Sequence, residues 1–62
     1  MARVNIEVKN RHGQWIKITE CSEVQTSIHQ NLKRAVDHPL ATETKHARAT
    51  DQSGTIIDMH FG

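Results

Sequence analysis

Val4-Asn5-Ile6-Glu7-Val8-Lys9-Asn10-Arg11-His12-Gly13-Gln14-Trp15-Ile16-Lys17-Ile18 holds two alternating apolar–polar runs on either side of a turn pattern. Strict alternation places Val4, Ile6 and Val8 on one face of a strand, with Ile16 and Ile18 on the matching face of the next. Asn at the first turn position and Gly at the fourth suit a type I turn closed by a residue at positive φ. That is a three-residue hairpin ending in a glycine bulge. The same pattern returns at Asp51-Gln52-Ser53-Gly54. Ala47 and Ala49 alternate before it, and Ile57, Met59 and Phe61 follow. The chain therefore reads as two hairpins.

Between them lies an amphipathic helix. Val24, Ile28, Leu32, Ala35 and Val36 fall within one arc of about 120° on a helical projection. Ser22 with Gln25 three residues on fits a capping box, and Glu23 suits the positive end of the helix dipole. Pro39 disfavours helical angles at His38, so the helix is expected to end near Asp37. His38 to Thr44 then reads as the one loop.

Matching the apolar faces sets an expected register, because a one-residue slip would expose the whole apolar set. Val8 should face Ile16, Ile6 should face Ile18, and Arg11, His12 and Gly13 should form the loop. In the second hairpin Ala49 should face Ile57 and Ala47 should face Met59. Glu7 would then oppose Lys17 and Arg48 would oppose Asp58, two favourable charge pairs on the other face.

The expected fold is α+β, ββαββ, with one helix on one face of a four-stranded sheet. The first and fourth strands carry the bulkiest inward sets, so they are expected at the centre, parallel, in the preferred order 2-1-4-3; a four-stranded antiparallel sheet with the hairpins joined in another order is the alternative. The preferred arrangement resembles a minimal β-grasp fold. The ubiquitin-like sulfur carriers share it, but they end in a free tail with two glycines. Here Met59-His60-Phe61 runs on to a single Gly62, so carrier chemistry is not expected.

Size and composition narrow the function classes. Residues 1–62 read as one domain, and a chain this short buries only about 60% of the surface it exposes when unfolded. Cys21 is the only cysteine, so no internal disulfide is expected. The strand pattern begins within three residues of Met1, so no secretory leader is expected, and no apolar run approaches bilayer length. A cytoplasmic location is expected, without membrane association. Eight Lys and Arg against seven Asp and Glu give a net charge of +1, short of the basic excess of dedicated nucleic-acid binders.

No constellation supports catalysis, a small-molecule substrate or a cofactor. Cys21 precedes the helix with no base tied to it. His46 is expected opposite His60 with Asp58 nearby, a pair short of the three or four ordered ligands zinc takes. The open sheet face is the expected site. It should present Arg3, Asn5, Glu7, Lys9, Trp15, Lys17, Thr19, His46, Arg48, Thr50, Ile56, Asp58 and His60. Trp15 with Ile56 makes an apolar spot among Arg3, Lys17, Arg48, His46 and His60. A tryptophan on an uncovered sheet suits a protein contact, self-association included. This is the expectation for an accessory or regulatory binding protein. Base stacking on Trp15, with Arg3, Lys17 and Arg48 on phosphates, is the alternative.

Overall fold

The computed structural model describes residues 3–41 and 44–61. Thr42 and Glu43 of the expected loop, and the terminal Gly62, lie outside them. Strands β1 (Arg3–Lys9) and β2 (Trp15–Ser22) form the first hairpin, and β3 (His46–Thr50) and β4 (Ile56–Phe61) the second. Helix α1 (Gln25–Ala35) and a short 3-10 helix (Pro39–Ala41) lie between them.

Both turns form as their sequences require. Asn10 Oδ1 accepts the N–H groups of His12 and Gln14 at 2.9 Å each. Asp51 Oδ1 accepts those of Ser53 and Thr55 at the same distance. Gly13 at φ +83° and Gly54 at φ +90° close the loops in the left-handed region that glycine enters at no steric cost.

Beyond the turns the register departs from expectation twice. In the first hairpin Lys9 faces Trp15, Glu7 faces Lys17 and Val8 faces Ile16, but a bulge between the pairings of Glu7 and Ile6 makes Ile6 face Thr19 rather than Ile18. Val4 consequently faces Cys21, and the thiol is buried in the core instead of resting at its boundary. In the second hairpin Thr50 faces Ile56, and a bulge then pairs Ala49 with Asp58 and Ala47 with His60. One extra residue inverts the facing of everything after it. The pairings Ala49–Ile57, Ala47–Met59 and Arg48–Asp58 are therefore replaced.

The strand order is β2-β1-β3-β4, with every neighbouring pair antiparallel. The α+β class holds; the 2-1-4-3 order with parallel central strands does not. Alanines at the centre overturn the rule that bulk belongs under the helix. A helix about 10 Å across covers roughly two strands spaced about 4.8 Å apart. The strand residues buried most completely beneath it lie on the central pair, β1 and β3. Val4, Ile6 and Val8 of β1, and Ile28 and Leu32 of α1, supply the large side chains, while Ala47 and Ala49 supply the room for them. Large against small fills the layer at crystal-like density. Ile57, Met59 and Phe61, expected in the core, are exposed.

Two contacts fix β3 beside β1. Thr44 Oγ1 donates to the Lys9 carbonyl at 2.6 Å, and Lys45, at φ +56°, turns the chain into β3 with its N–H on the Ala41 carbonyl at 2.7 Å. Ala41 is wholly buried, so the 3-10 turn anchors the connection that was expected to be a plain loop.

The helix ends also differ from expectation. Ser22 is spent in β2, paired with Arg3, and its carbonyl accepts the Val24 N–H at 2.8 Å. Val24 thus becomes the N-cap, with no side-chain cap bond, and lies exposed while Ile28, Leu32, Ala35 and Val36 are buried. The capping box is not made. The last turn tightens, with the His38 N–H on the Ala35 carbonyl at 2.9 Å, and α1 ends at Ala35, two residues before Asp37.

Candidate functional site

The uncovered face is built from alternate residues of all four strands. Arg3, Asn5, Glu7 and Lys9 come from β1, Trp15, Lys17 and Glu20 from β2, and His46 and Arg48 from β3. Through the second bulge β4 adds Met59 opposite Arg48 and Phe61 opposite His46, with Ile56 opposite Thr50. Asp58 and His60 pass to the helix side. There Gln25 Nε2 donates to Asp58 Oδ2 at 3.4 Å, and the His60 ring meets His29 edge-on at 6.1 Å. His46 and His60 therefore lie on opposite faces, and the expected facing histidine pair does not exist. Thr19, shifted by the first bulge, also leaves the open face.

At the centre of this face the Arg48 guanidinium lies 4.3 Å from the centroid of the Trp15 ring. Its Nε donates to Glu7 Oε1 at 2.6 Å, with both side chains about four-fifths covered. The carboxylate holds the guanidinium over the indole, within the range of cation–π attraction. Trp15 thus rests under Arg48 as well as beside its cross-strand neighbour Lys9.

The other cations are also engaged. Glu20 bonds Lys17 and lies 3.6 Å from Arg3. The bulge brings Lys17 and Glu20 to one face although they are three residues apart. Lys17, and then Arg3, holds the Glu20 carboxyl below the ordinary carboxylate value. Arg3, Lys17 and Arg48, the residues singled out for phosphate contact, each face a carboxylate.

Toward β4 the face turns apolar. Phe61 meets the His46 ring edge-on at 4.7 Å and is 59% exposed. Met59, Ile56 and Ile57 are 39%, 47% and 38% exposed. This strip next to Arg48 and His46 is the functional feature that sequence reasoning missed, apart from Ile56. Its signal was present in Ile56-Ile57-Asp58-Met59-His60-Phe61, but the assumed register sent three of its apolar residues inward.

On the helix side, burial pushes the Cys21 thiol up, away from the reactive thiolate. Among the described residues no group of three His, Cys, Asp or Glu side chains is placed to hold a metal ion, and no helix is long and apolar enough to cross a membrane. No protein-family model matches the chain, and no curated protein or solved structure is significantly similar to it.

Proposed function

We propose that the chain is a binding module, an accessory or regulatory protein that engages another protein through its open sheet face. One observation supports this reading above the others. Met59, Phe61, Ile56 and Ile57 leave an apolar strip in solvent beside a pre-ordered Trp15–Arg48 stack. Contiguous exposed apolar surface with a charged rim is the usual mark of a protein contact. Aromatic and arginine side chains are the common anchors of such contacts. The stack is already held by Glu7, so little side-chain freedom is left to lose on association.

The same geometry weighs against nucleic acid as the ligand. Phosphate contacts would have to compete with Glu7 and Glu20 for Arg48, Arg3 and Lys17. The two readings part in one experiment. Proteins cross-linked to the natural chain in its own cells, once identified and purified, should bind it and lose binding to Trp15→Ala with circular dichroism unchanged. Retention of single-stranded or duplex oligonucleotide at about 50 mM salt, lost steeply as salt rises, would support the nucleic-acid reading.

A further inference from the structure

The outer edge of β4 carries an inference of its own. It rests on reading the chain as a binding module and names the occupant of that edge. We infer that β4 pairs with β4 of a second copy, antiparallel about a two-fold axis at Met59, to give one continuous eight-stranded sheet.

Three observations carry this. First, β4 ends the sheet, and its six residues Ile56–Phe61 include no proline, lysine or arginine. Sheet edges that stay single are normally blunted by such residues, by bulges or by a covering element. The bulge of β4 lies at its start, between the pairings of Ile56 and Asp58, and leaves Asp58 to Phe61 regular.

Second, the Met59 N–H donates to Oδ1 of its neighbour Asp58 at 2.8 Å. A backbone donor held by a side chain of its own strand is not spent on the ladder to β3. Strand addition would replace this local bond with an inter-strand one.

Third, the strand is complementary to itself in one register. With the axis at Met59, Asp58 faces His60 of the second copy twice over, on the helix side. On the open side Met59 faces Met59, and Phe61 of each copy meets the start of the other strand. A carboxylate opposite an imidazole N–H donor and apolar cross-strand pairs stabilise a ladder, and two carboxylates directly opposite destabilise it. Moving the axis to Asp58 sets carboxylate against carboxylate. Moving it to His60 sets imidazole against imidazole. Only the Met59 register satisfies both faces.

A two-fold axis perpendicular to the sheet keeps the faces in common. Both helices then lie on one side, and both Trp15–Arg48 stacks lie on the other, joined by the two apolar strips. A ladder of about five residues is a small interface, so the dimer belongs to the weak class that forms at high concentration.

Sedimentation equilibrium from about 10 μM to 1 mM, the range in which a weak dimer would populate, is the test. The natural chain should dimerise within it, and Met59→Lys should stay monomeric with an unchanged circular dichroism spectrum. His60→Asp, which opposes two carboxylate pairs, should weaken the dimer by about 10-fold or more. Asp58→His combined with His60→Asp restores the complementary pairs and should recover most of that loss. Trp15→Ala should leave the dimer intact.

A monomeric natural chain at 1 mM would overturn the inference, as would a double exchange that rescues nothing. Loss of self-association in Trp15→Ala would assign it to packing of two open faces, and would overturn edge pairing. The broader proposal fails separately, when an identified partner binds natural and Trp15→Ala chains equally.

Discussion

The two outer strands of this sheet treat their exposure in opposite ways. β2 is interrupted by a bulge at its middle, and Lys17 and Glu20 stand on its open face in an ion-pair group with Arg3. β4 meets solvent with Ile56, Ile57, Met59 and Phe61, and its regular stretch carries only Asp58 as a formal charge. Charges and bulges discourage strand addition, and a flat apolar edge invites it. Two edges of one small sheet thus differ in chemistry, one protected and one available. The contrast also shows where stability resides. The wholly buried strand residues lie on the central pair β1 and β3 beneath α1, with Cys21 of β2 beside them, while β4 adds apolar surface that folding leaves outside.

Large-to-small substitutions should separate those two kinds of apolar residue most strongly. Ile6→Ala, in the fully buried set of β1, should cost about 2–5 kcal/mol in urea denaturation. Phe61→Ala on β4 should stay within about 0.5 kcal/mol of the natural chain at monomeric concentrations. Equal costs would mean that β4 is a core strand and that the contrast between the strands is false.

Overfilling the centre tests the same division from the other side. Ala49 is wholly buried beneath the helix layer, so Ala49→Leu should destabilise the fold by about 1–3 kcal/mol. A neutral or stabilising result would move β3 to the edge and β4 inward.

The turns come next. Gly54 has φ +90° with nothing within 4 Å of an added Cβ, and Gly13 has φ +83° with only the flexible end of Lys9 nearby. Substitution by Val costs backbone strain rather than space, about 1 kcal/mol or more at either position. Similar losses in thermal or urea unfolding would show that both hairpins depend equally on their turns. The difference between β2 and β4 then lies beyond the turns, in their edges.

The smallest effects concern acid. The Ser53 hydroxyl, followed by the Thr55 N–H, holds the Asp51 carboxyl below its usual range, as Lys17 does for Glu20. A carboxyl with a depressed folded pKa binds fewer protons folded than unfolded. Its contribution is present above the unfolded pKa and lost as pH falls through the folded one. Urea midpoints should therefore fall between about pH 5 and pH 2.5. Glu20→Gln should flatten the part of this fall that belongs to the β2 edge, and Asp51→Asn the part that belongs to the second turn. An unchanged pH profile in Glu20→Gln would mean that its ion pairs do not persist in solution.

Much of the secondary structure was legible. The Asn–Gly and Asp–Gly turns hold, and so do the positive φ at Gly13 and Gly54 and the buried face Ile28, Leu32, Ala35 and Val36. The pairings Glu7–Lys17 and Val8–Ile16 also hold close to the first turn. Errors began at the bulges between the pairings of Ile6 and Glu7 and of Ala49 and Thr50. No residue type there announces an extra position, and each bulge inverts the facing beyond it. The charge check agreed with the observed Glu7–Lys17 register but misled for Arg48 and Asp58, and the ion pairs themselves form elsewhere. Glu7 does find a cation, but it is Arg48 on the other side of β1, and Lys17 pairs with Glu20 of its own strand. Complementary charges within reach of several strands do not specify a neighbour. At the candidate site Trp15, Arg48, Lys17, Arg3, His46 and Ile56 were placed on the open face correctly. His60 was not, and Met59 and Phe61 were missed with it.

The sequence by itself determined what local interactions can decide. It set the two turns, through side-chain oxygens that reach backbone N–H groups two and four residues on. It also set the helix, through the spacing of its apolar face. Strand order, the two bulges and the exposure of β4 were decided only in the tertiary structure. They depend on how wide a layer one helix can cover, and on which strand leaves room for Ile28 and Leu32. Ala47 and Ala49 meet that volume requirement, so β3 took the centre and the bulkier β4 was left at the edge.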